Sequence, residues 1–532
     1  MNTESSEPII AADGTEVLPK LQATILLMSI LVVALCGIVY ELIIGTVSSY
    51  LLGNSVYQFS LTIGFFMFAM GVGSYISRFI TKNLVEAFVW VELVLAFIGG
   101  LCSISLFLLF PTAPWFYQTA MFGFIFAIGF LVGLEIPILT RVLSNQNSIR
   151  ESIANVMSLD YIGALIGSVA FPLILLPSLG LITASFAIGL INGSVALLNV
   201  IWLRDHLRSP KKMFMSVIGV MTLMLVLTFS ASRITAFAQD HLYFDRIVWK
   251  KTSPYQSIVV TNQWQSDDMR LFLDGHLQFS ERDEYRYHEA LVHPVMLYGK
   301  EPENILLLGG GDGLATREIL RHASVKQIDL VDLDPEMTWL GTEYAPLVRL
   351  NQDALANDKV TIHNMDAFLY VRDTDKIYDR VIIDFPDPHN EALSKLYSSE
   401  FYAMLSRVVA EDGVIISQSS SPFFAHRAYW TIGRTMDVIF QDRESFHITV
   451  PSFGQWGFHI AHKGKRAPMR PFPDELVSLS EPIFTAAKTF PKDIVEPKDL
   501  KPNSIFEPIL YHIYNEDLKS CLLYTSPSPR DS

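Results

Sequence analysis

Between Leu21 and Ala231 the chain carries about seven long apolar segments, at Leu21–Ile44, Val56–Ile80, Ala87–Phe110, Trp115–Leu139, Leu159–Leu179, Ile182–Leu203 and Met213–Ser230. Each is near the ~20 residues that a helix needs to cross a bilayer. A helix buried in a soluble protein rarely stays apolar on every face for so long, and a succession of such segments excludes a soluble core. The pattern predicts a polytopic α-helical membrane domain over 21–231, behind an N-terminal tail at 1–20. The first segment is too long for a signal peptide, follows an acidic tail and lacks a small-residue cleavage site, so it is expected to be a retained span.

Lysine and arginine fall in alternate loops: Arg78 and Lys82, Arg141 and Arg150, then Arg204, Arg208, Lys211 and Lys212. The loops near Gly53, Thr112 and Ser178 carry none, so the positive-inside rule puts the basic loops and the N-terminus in the cytoplasm of a multi-pass cell-membrane protein. Seven crossings then place the C-terminal half outside. A C-terminal half that works in the cytosol demands the opposite, which leaves three options: one segment fails to cross, an eighth element exists, or the C-terminal half is external. Glu41, Glu92 and Glu135 lie within or at the ends of these segments. They are expected either to sit near an interface or pair with helix ends and neighbouring polar groups, or to form an intramembrane site for a cation. Gly71-Val72-Gly73 and Gly163 with Gly167 are expected to let helices approach closely.

The formal charge of -14, without a basic stripe, argues against a nucleic-acid partner. Three distant cysteines give neither a disulfide framework nor a metal pattern, and Cys36 and Cys102 are expected to be small packing residues.

After Ser232 the composition changes. An amphipathic connector is expected over Ala236–Lys251, within a linking stretch at 232–252, followed by a small antiparallel region at Gln256–Thr261 and Leu271–Leu273 with the Asp274-Gly275 turn. From Asn304 the pattern alternates: strands at Ile305–Leu308, Gln327–Val331, Val360–His363, Arg380–Ile383 and Val414–Gln418, with helices at Ala315–His322, Pro335–Tyr344 and Ser399–Leu405. Such alternation means a doubly wound, Rossmann-like α/β sheet of the methyltransferase type.

The first of these strands runs into Gly309, Gly310, Gly311, Asp312 and Gly313. Glycines there let the backbone turn sharply and approach a ligand, although many tight strand-to-helix turns are purely structural. The embedded Asp312 disfavours a pyrophosphate, since two close anions repel by several kcal/mol at low effective dielectric. It points instead to a nucleoside carrying a sulfonium or an amine. Asp332, about 20 residues on, is placed to hold ribose hydroxyls. Ligands of such sheets sit beyond the carboxyl ends of the strands, where Asp312, Asp332 with Asp334, Asp366, and Asp384 with Asp387 follow four strands in turn. Any one of them has a helix-cap or solvated alternative, but together they predict one acidic crevice. In Asp384-Phe385-Pro386-Asp387-Pro388 the prolines stiffen the loop. One of its carboxylates is suited to take a proton from a substrate ammonium, the other to anchor a second positive end.

Several ordered motifs now come together: Pro254-Tyr255-Gln256, Leu273-Asp274-Gly275 with Gln278, Asp283-Glu284 before Tyr287-His288-Glu289, the glycine loop, Asp366-Ala367, the Asp384/Asp387 pair and Trp456-Gly457-Phe458. In these the chain resembles the spermidine synthases, or polyamine aminopropyltransferases, across about Ser253 to Lys463, and its apolar half resembles their membrane-bound branch. The resemblance implies a transferase domain at 253–465 and a C-terminal extension at 466–519. It further implies that decarboxylated S-adenosylmethionine gives its aminopropyl group to an amine such as putrescine, leaving methylthioadenosine, with no metal. Residue by residue, it implies that Asp312 holds the donor's propylammonium, Asp332 the ribose and Asp366, beside Ala367, the adenine amino group. Gln256 and the loop glycines Gly309, Gly311 and Gly313 complete the donor site. Gln278, Tyr287 and His288 line the acceptor side, Asp384 is the base and Asp387 binds the amine. Membrane lipid and a second copy of the chain, as a homodimer, are the other partners expected.

The departures fall on the acceptor side. The family usually continues Gly-Pro-Ala-Glu after the Asp-Pro, where this chain has His389-Asn390-Glu391-Ala392, and Pro451-Ser452-Phe453-Gly454 lacks the tyrosine common before Trp-Gly-Phe. The amine acceptor is therefore left open. Two other readings stand beside this one: a methyltransferase using ordinary S-adenosylmethionine, and a polyamine sensor or transporter drawing on Glu41 and Glu135. Finally, Cys521 to Asp531 reads like the translation of a transposase sequencing adapter. The native sequence is expected to end or diverge near Lys519, with 520–532 an artefact.

Overall fold

The structure, a computed structural model, describes residues 19–52, 55–144, 149–243, 245–264 and 266–525. Most of the N-terminal tail, 1–18, and the tail segment 526–532 lie outside the described residues. The chain divides into two units, Met1–Phe244 and Asp245–Ser532.

Within the first unit the apolar segments form α1 (Lys20–Leu52), α2 (Ser55–Ile76), α3 (Leu84–Thr112), α4 (Pro114–Leu143), α5 (Ile149–Ala170), α6 (Leu176–Trp202) and α7 (Pro210–Tyr243). Six helical runs among the described residues are long and apolar enough to cross a membrane, and the one at Arg150–Trp202 counts 53 residues. At ~1.5 Å per residue that run would be ~80 Å long, well over twice a ~30 Å hydrocarbon core. It is broken. A wide turn at Phe171–Leu175 contains Pro172, Pro177 follows, and Gly180 leaves helical geometry at φ +69°, so α5 and α6 are separate helices.

Small residues set the spacing of the bundle. A Cβ on Gly163 would stand 2.1 Å from the Leu31 carbonyl oxygen, and one on Gly73 2.1 Å from that of Phe130. A Cβ on Gly167 would also press on α1, 2.5 Å from Ile38 and 2.8 Å from the Leu35 carbonyl oxygen, but one on Gly71 would meet nothing within 4 Å, so close packing does not require that glycine. Gly163 and Gly167 track up α1 in the same direction, while Ser185 and Asn192 of α6 bond back to Gly99 and Glu92 of α3 in reverse order. Those contacts make α5 parallel to α1, and α6 antiparallel to α3. Glu41, Glu92 and Glu135 are all buried. Both carboxylate oxygens of Glu92, and one of the two of Glu135, are without a hydrogen-bond partner among the described residues.

Part of the expected connector, up to Tyr243, is instead the end of α7, and its last residues open the second unit as a strand. That strand, β1 (Arg246–Thr252), joins β2 (Ser257–Asn262), β3 (Met269–Leu273) and β4 (His276–Ser280) in a four-stranded antiparallel sheet. The antiparallel region is thus twice the size the sequence suggested. After α8 (Glu284–Leu297) come β5 (Asn304–Gly309), α9 (Leu314–Leu320), β6 (Gln327–Asp332), α10 (Pro335–Glu343), β7 (Val360–Asn364), β8 (Tyr378–Asp384), β9 (Val409–Gln418), β10 (Asp442–Val450) and β11 (Gly454–His462). The large sheet runs β10-β11-β9-β8-β5-β6-β7. Its five expected strands are parallel, and the β10–β11 hairpin adds an antiparallel edge.

The sheet is covered on both faces because its strands are apolar on both. Leu306 and Leu308 of β5 enter one core layer with Val381 and Ile383, whereas Ile305 and Leu307 enter the other with Ile328, Leu330 and Ile382. The strand order reverses beside β5, whose neighbours are β6 and β8. A crevice therefore opens beyond the carboxyl ends of β5 and β8.

Candidate active site

The loop after β5 is built by its glycines. Gly309, Gly310 and Gly313 have φ of +85°, +75° and +82°, a region that side chains with a Cβ rarely enter. A Cβ on Gly309 would lie 2.2 Å from the Asp384 carbonyl oxygen. Only glycine lets β5 and β8 run together to their ends and bring their acidic loops side by side.

Beyond those ends lies a cavity of about 660 Å³. Every site residue expected from the sequence lines it except Gly313. Gly313 sits behind the wall as the residue before α9, packed near Asn351 and Leu355; its role is to turn the chain.

The donor end gathers around β5, β6 and β7. Asp332 accepts the Gly311 N–H at 3.0 Å and the Asp334 N–H at 2.9 Å, and burial pushes its carboxyl up to about 6. Asp334, at the N-cap of α10, also accepts from the Ser253 hydroxyl at 2.7 Å and the Gln256 side-chain amide at 3.0 Å, which ties the small sheet to the large one. Asp312 accepts the Leu314 N–H at 2.9 Å, and burial raises its carboxyl above the usual range despite the nearby His288. Asp366 is already engaged. One oxygen caps the helix Ala367–Asp373 through the Phe368 N–H at 2.8 Å, and the other takes a salt bridge from Lys395 at 2.7 Å.

The chemical centre is Asp384. The Tyr287 hydroxyl donates to it at 2.5 Å, and burial lifts its carboxyl from 3.8 to about 6, with Asp312 adding to the lift and His288 opposing it. His288 is held from behind: its Nδ1 meets Glu284 at 2.7 Å, and Glu284 is in turn gripped by Arg317 at 2.9 Å. Burial alone would lower the His288 imidazole, but Glu284, Asp312 and Asp384 together raise it. Asp387 is recessed further along, where the Tyr514 hydroxyl donates at 2.8 Å and Ser420 at 3.3 Å; burial raises it too. The Gln278 amide donates to the His276 carbonyl at 3.1 Å at the cavity edge.

Asp312, Asp332, Asp384 and Asp387 therefore face one recess in which each is expensive to keep ionised. Positively charged ligands relieve that penalty. The sequence reading missed Lys395, Gln418, the stacked His276 and His389 and, above all, Tyr514. Gln418 was within reach, because it ends β9 on the same rim. Tyr514 belongs to a helix at Leu510–Thr525 with no motif to mark it.

The sequence is similar to those of known proteins. Residues 284–471 match the spermine/spermidine synthase domain. The chain is 45% identical to a polyamine aminopropyltransferase of Leptospira interrogans over 88% of its own length and 94% of the relative's. It is 41% identical to polyamine aminopropyltransferase 1 of Streptomyces coelicolor, with 92% and 94% of the two chains covered. A crystal structure of spermidine synthase with the transition-state analogue AdoDATO superposes on 47% of this chain and 87% of its own at 26% identity and a TM-score of 0.44.

Proposed function

The chain belongs to the polyamine aminopropyltransferases, and from that premise we propose that it moves an aminopropyl group from decarboxylated S-adenosylmethionine to putrescine, releasing methylthioadenosine. It is a transferase, and the reaction is aminopropyl transfer. The observation that carries the choice of reactants is the set of recessed carboxylates Asp312, Asp384 and Asp387 in one cavity.

Asp312 meets the donor's propylammonium, Asp332 the ribose, and Asp366 with Lys395 the base. Asp384 faces the reacting amine, with Tyr287 and His288 fixing and polarising it, and Asp387 holds the amine's distal ammonium. The neutral amine nitrogen attacks the propyl carbon attached to sulfur. The carbon–sulfur bond breaks, its electron pair stays on sulfur as a neutral thioether, and the nitrogen, whose lone pair was freed when the Asp384 carboxylate accepted a proton from the substrate ammonium, becomes the cationic secondary ammonium of the product. Orientation and one accepted proton supply the acceleration. Ordinary S-adenosylmethionine would bring its own carboxylate near Asp312, which disfavours methyl transfer.

We place the first unit in a bilayer, in contact with lipid. Its helices expose Phe229 at 81%, Leu173 at 71% and Met67 at 66%, an apolar surface that water does not tolerate over such an extent. The C-terminal unit is assigned to the cytoplasm, where a nucleoside donor is made, against the charge of the three basic loops. A homodimer is proposed on the resemblance alone. The test is a substrate panel: purified protein should turn over the decarboxylated donor with putrescine faster than with longer or shorter diamines. Equal turnover across the panel overturns the putrescine assignment, and turnover with ordinary S-adenosylmethionine overturns the donor.

A further inference from the structure

The helix Leu510–Thr525 lies far from every motif, yet three of its side chains hold the loop that follows Asp384. Tyr514 donates its hydroxyl to Asp387 at 2.8 Å, Asn515 donates its amide to the His389 carbonyl at 3.2 Å, and Tyr511 donates to Glu391 at 3.0 Å. All three bonds fall within the five residues 387–391, which run from the shared Asp387 into 389–392, the stretch where the chain departs from the family pattern.

The helix is itself anchored. Leu510 is fully buried and Tyr514 4% exposed, both within the core layer that contains Leu306 and Ile383. The Leu510 N–H donates to Asn503 at 3.2 Å, and Asp517 accepts the Arg427 and Ala428 N–H groups at 2.8 and 3.0 Å. A helix so fixed transmits its position to what it holds. His389 and Asn390 line the cavity, and the His389 ring stacks on His276 across it, with centroids 5.0 Å apart. Tyr514 does not itself line the cavity. It takes one oxygen of Asp387 from behind and so orients the carboxylate.

We propose that this C-terminal helix is a working part of the acceptor site, with Tyr514 a positioning residue that aims Asp387 at the amine and Asn515 and Tyr511 fixing the loop that closes the amine's end of the cavity. The proposal rests on Asp387 as the amine anchor in the functional reading above. It makes the C-terminal extension a determinant of how tightly, and at what length, the amine is held.

Full-length protein in detergent carrying Tyr514→Phe, which keeps the ring and its packing, should show a KM for putrescine raised about tenfold, as for loss of one charge-assisted hydrogen bond. The KM for the donor and kcat should stay within about twofold. Asn515→Ala should move the same KM in the same direction. In an Asp387→Asn background Tyr514→Phe should add little, because it acts through that carboxylate. An unchanged putrescine KM in Tyr514→Phe overturns the inference while leaving the functional reading intact. Donor and amine KM rising by the same factor, with a lower melting temperature, overturns it as a merely structural role. A wild-type protein without aminopropyl transfer overturns both.

Discussion

Replacing Asp384 with asparagine should cut turnover sharply and yet make the empty protein more stable. The carboxyl is lifted from 3.8 to about 6 by burial beside Asp312, so keeping it ionised at neutral pH weakens the fold by about 3 kcal/mol. Asparagine keeps the shape and still accepts the Tyr287 hydroxyl, but carries no charge. Part of the gain is returned, because His288 loses one of the anions that support its imidazolium, which leaves roughly 1–3 kcal/mol. For a unit of this size ~1 kcal/mol shifts a melting midpoint by about 2–4 °C, so Asp384→Asn should melt about 3–10 °C higher. Differential scanning calorimetry at pH 7.5 reads that shift, and a coupled methylthioadenosine assay reads turnover, expected to fall by about 10²–10⁴ for a lost base. A variant that melts at or below the wild-type temperature, or one that retains more than a tenth of the activity, refutes the reasoning.

The kcat/KM profile should lose activity as pH falls through about 6, because Asp384 must be ionised to accept a proton; a profile flat to pH 5 would contradict this. The sign for stability is opposite: folded Asp384 keeps a proton that the unfolded chain releases, so its burial penalty is relieved as pH drops from about 6 towards 4 and the stability gap between Asp384→Asn and wild type should close, readable by urea titration of both detergent-solubilised proteins. Asp312→Asn should weaken donor binding about 10–100-fold by calorimetry with little effect on the amine KM. Gly309→Ala should lower both stability and donor affinity, since its φ of +85° is strained for alanine and the new Cβ would press on the Asp384 carbonyl. With Cys521→Ser as background, a cysteine at the exposed Asp412 should react with an impermeant maleimide in permeabilised cells only; labelling of intact cells would place the C-terminal unit outside.

Most of the site was legible because the chemistry sits at strand ends. An apolar strand that stops at a carboxylate announces both its element and its rim, and Asp312, Asp332, Asp366, Asp384 and Asp387 all follow that pattern. What stayed hidden depends on contacts distant in sequence. Tyr514 reaches Asp387 across 127 residues, and Lys395 reaches Asp366 across 29, with nothing local to mark either. The β10–β11 hairpin was read as a motif rather than as strands, since Trp456-Gly457-Phe458 drew the reading to the site. The helix break at Gly180 illustrates the reverse case: the sequence pattern separates Leu159–Leu179 from Ile182–Leu203, and the chain leaves helical geometry between them, at Gly180.

The account stands on one acidic recess serving two cationic reactants, and the most direct test follows both products of a single reaction. Purified protein is given decarboxylated S-adenosylmethionine and putrescine, and mass spectrometry follows the nucleoside and the amine together. Methylthioadenosine and an amine heavier by one aminopropyl group should appear in equal amounts, and both should form about 10²–10⁴-fold more slowly with Asp384→Asn. Nucleoside released without the enlarged amine, or a methylated amine formed with ordinary S-adenosylmethionine, would contradict it.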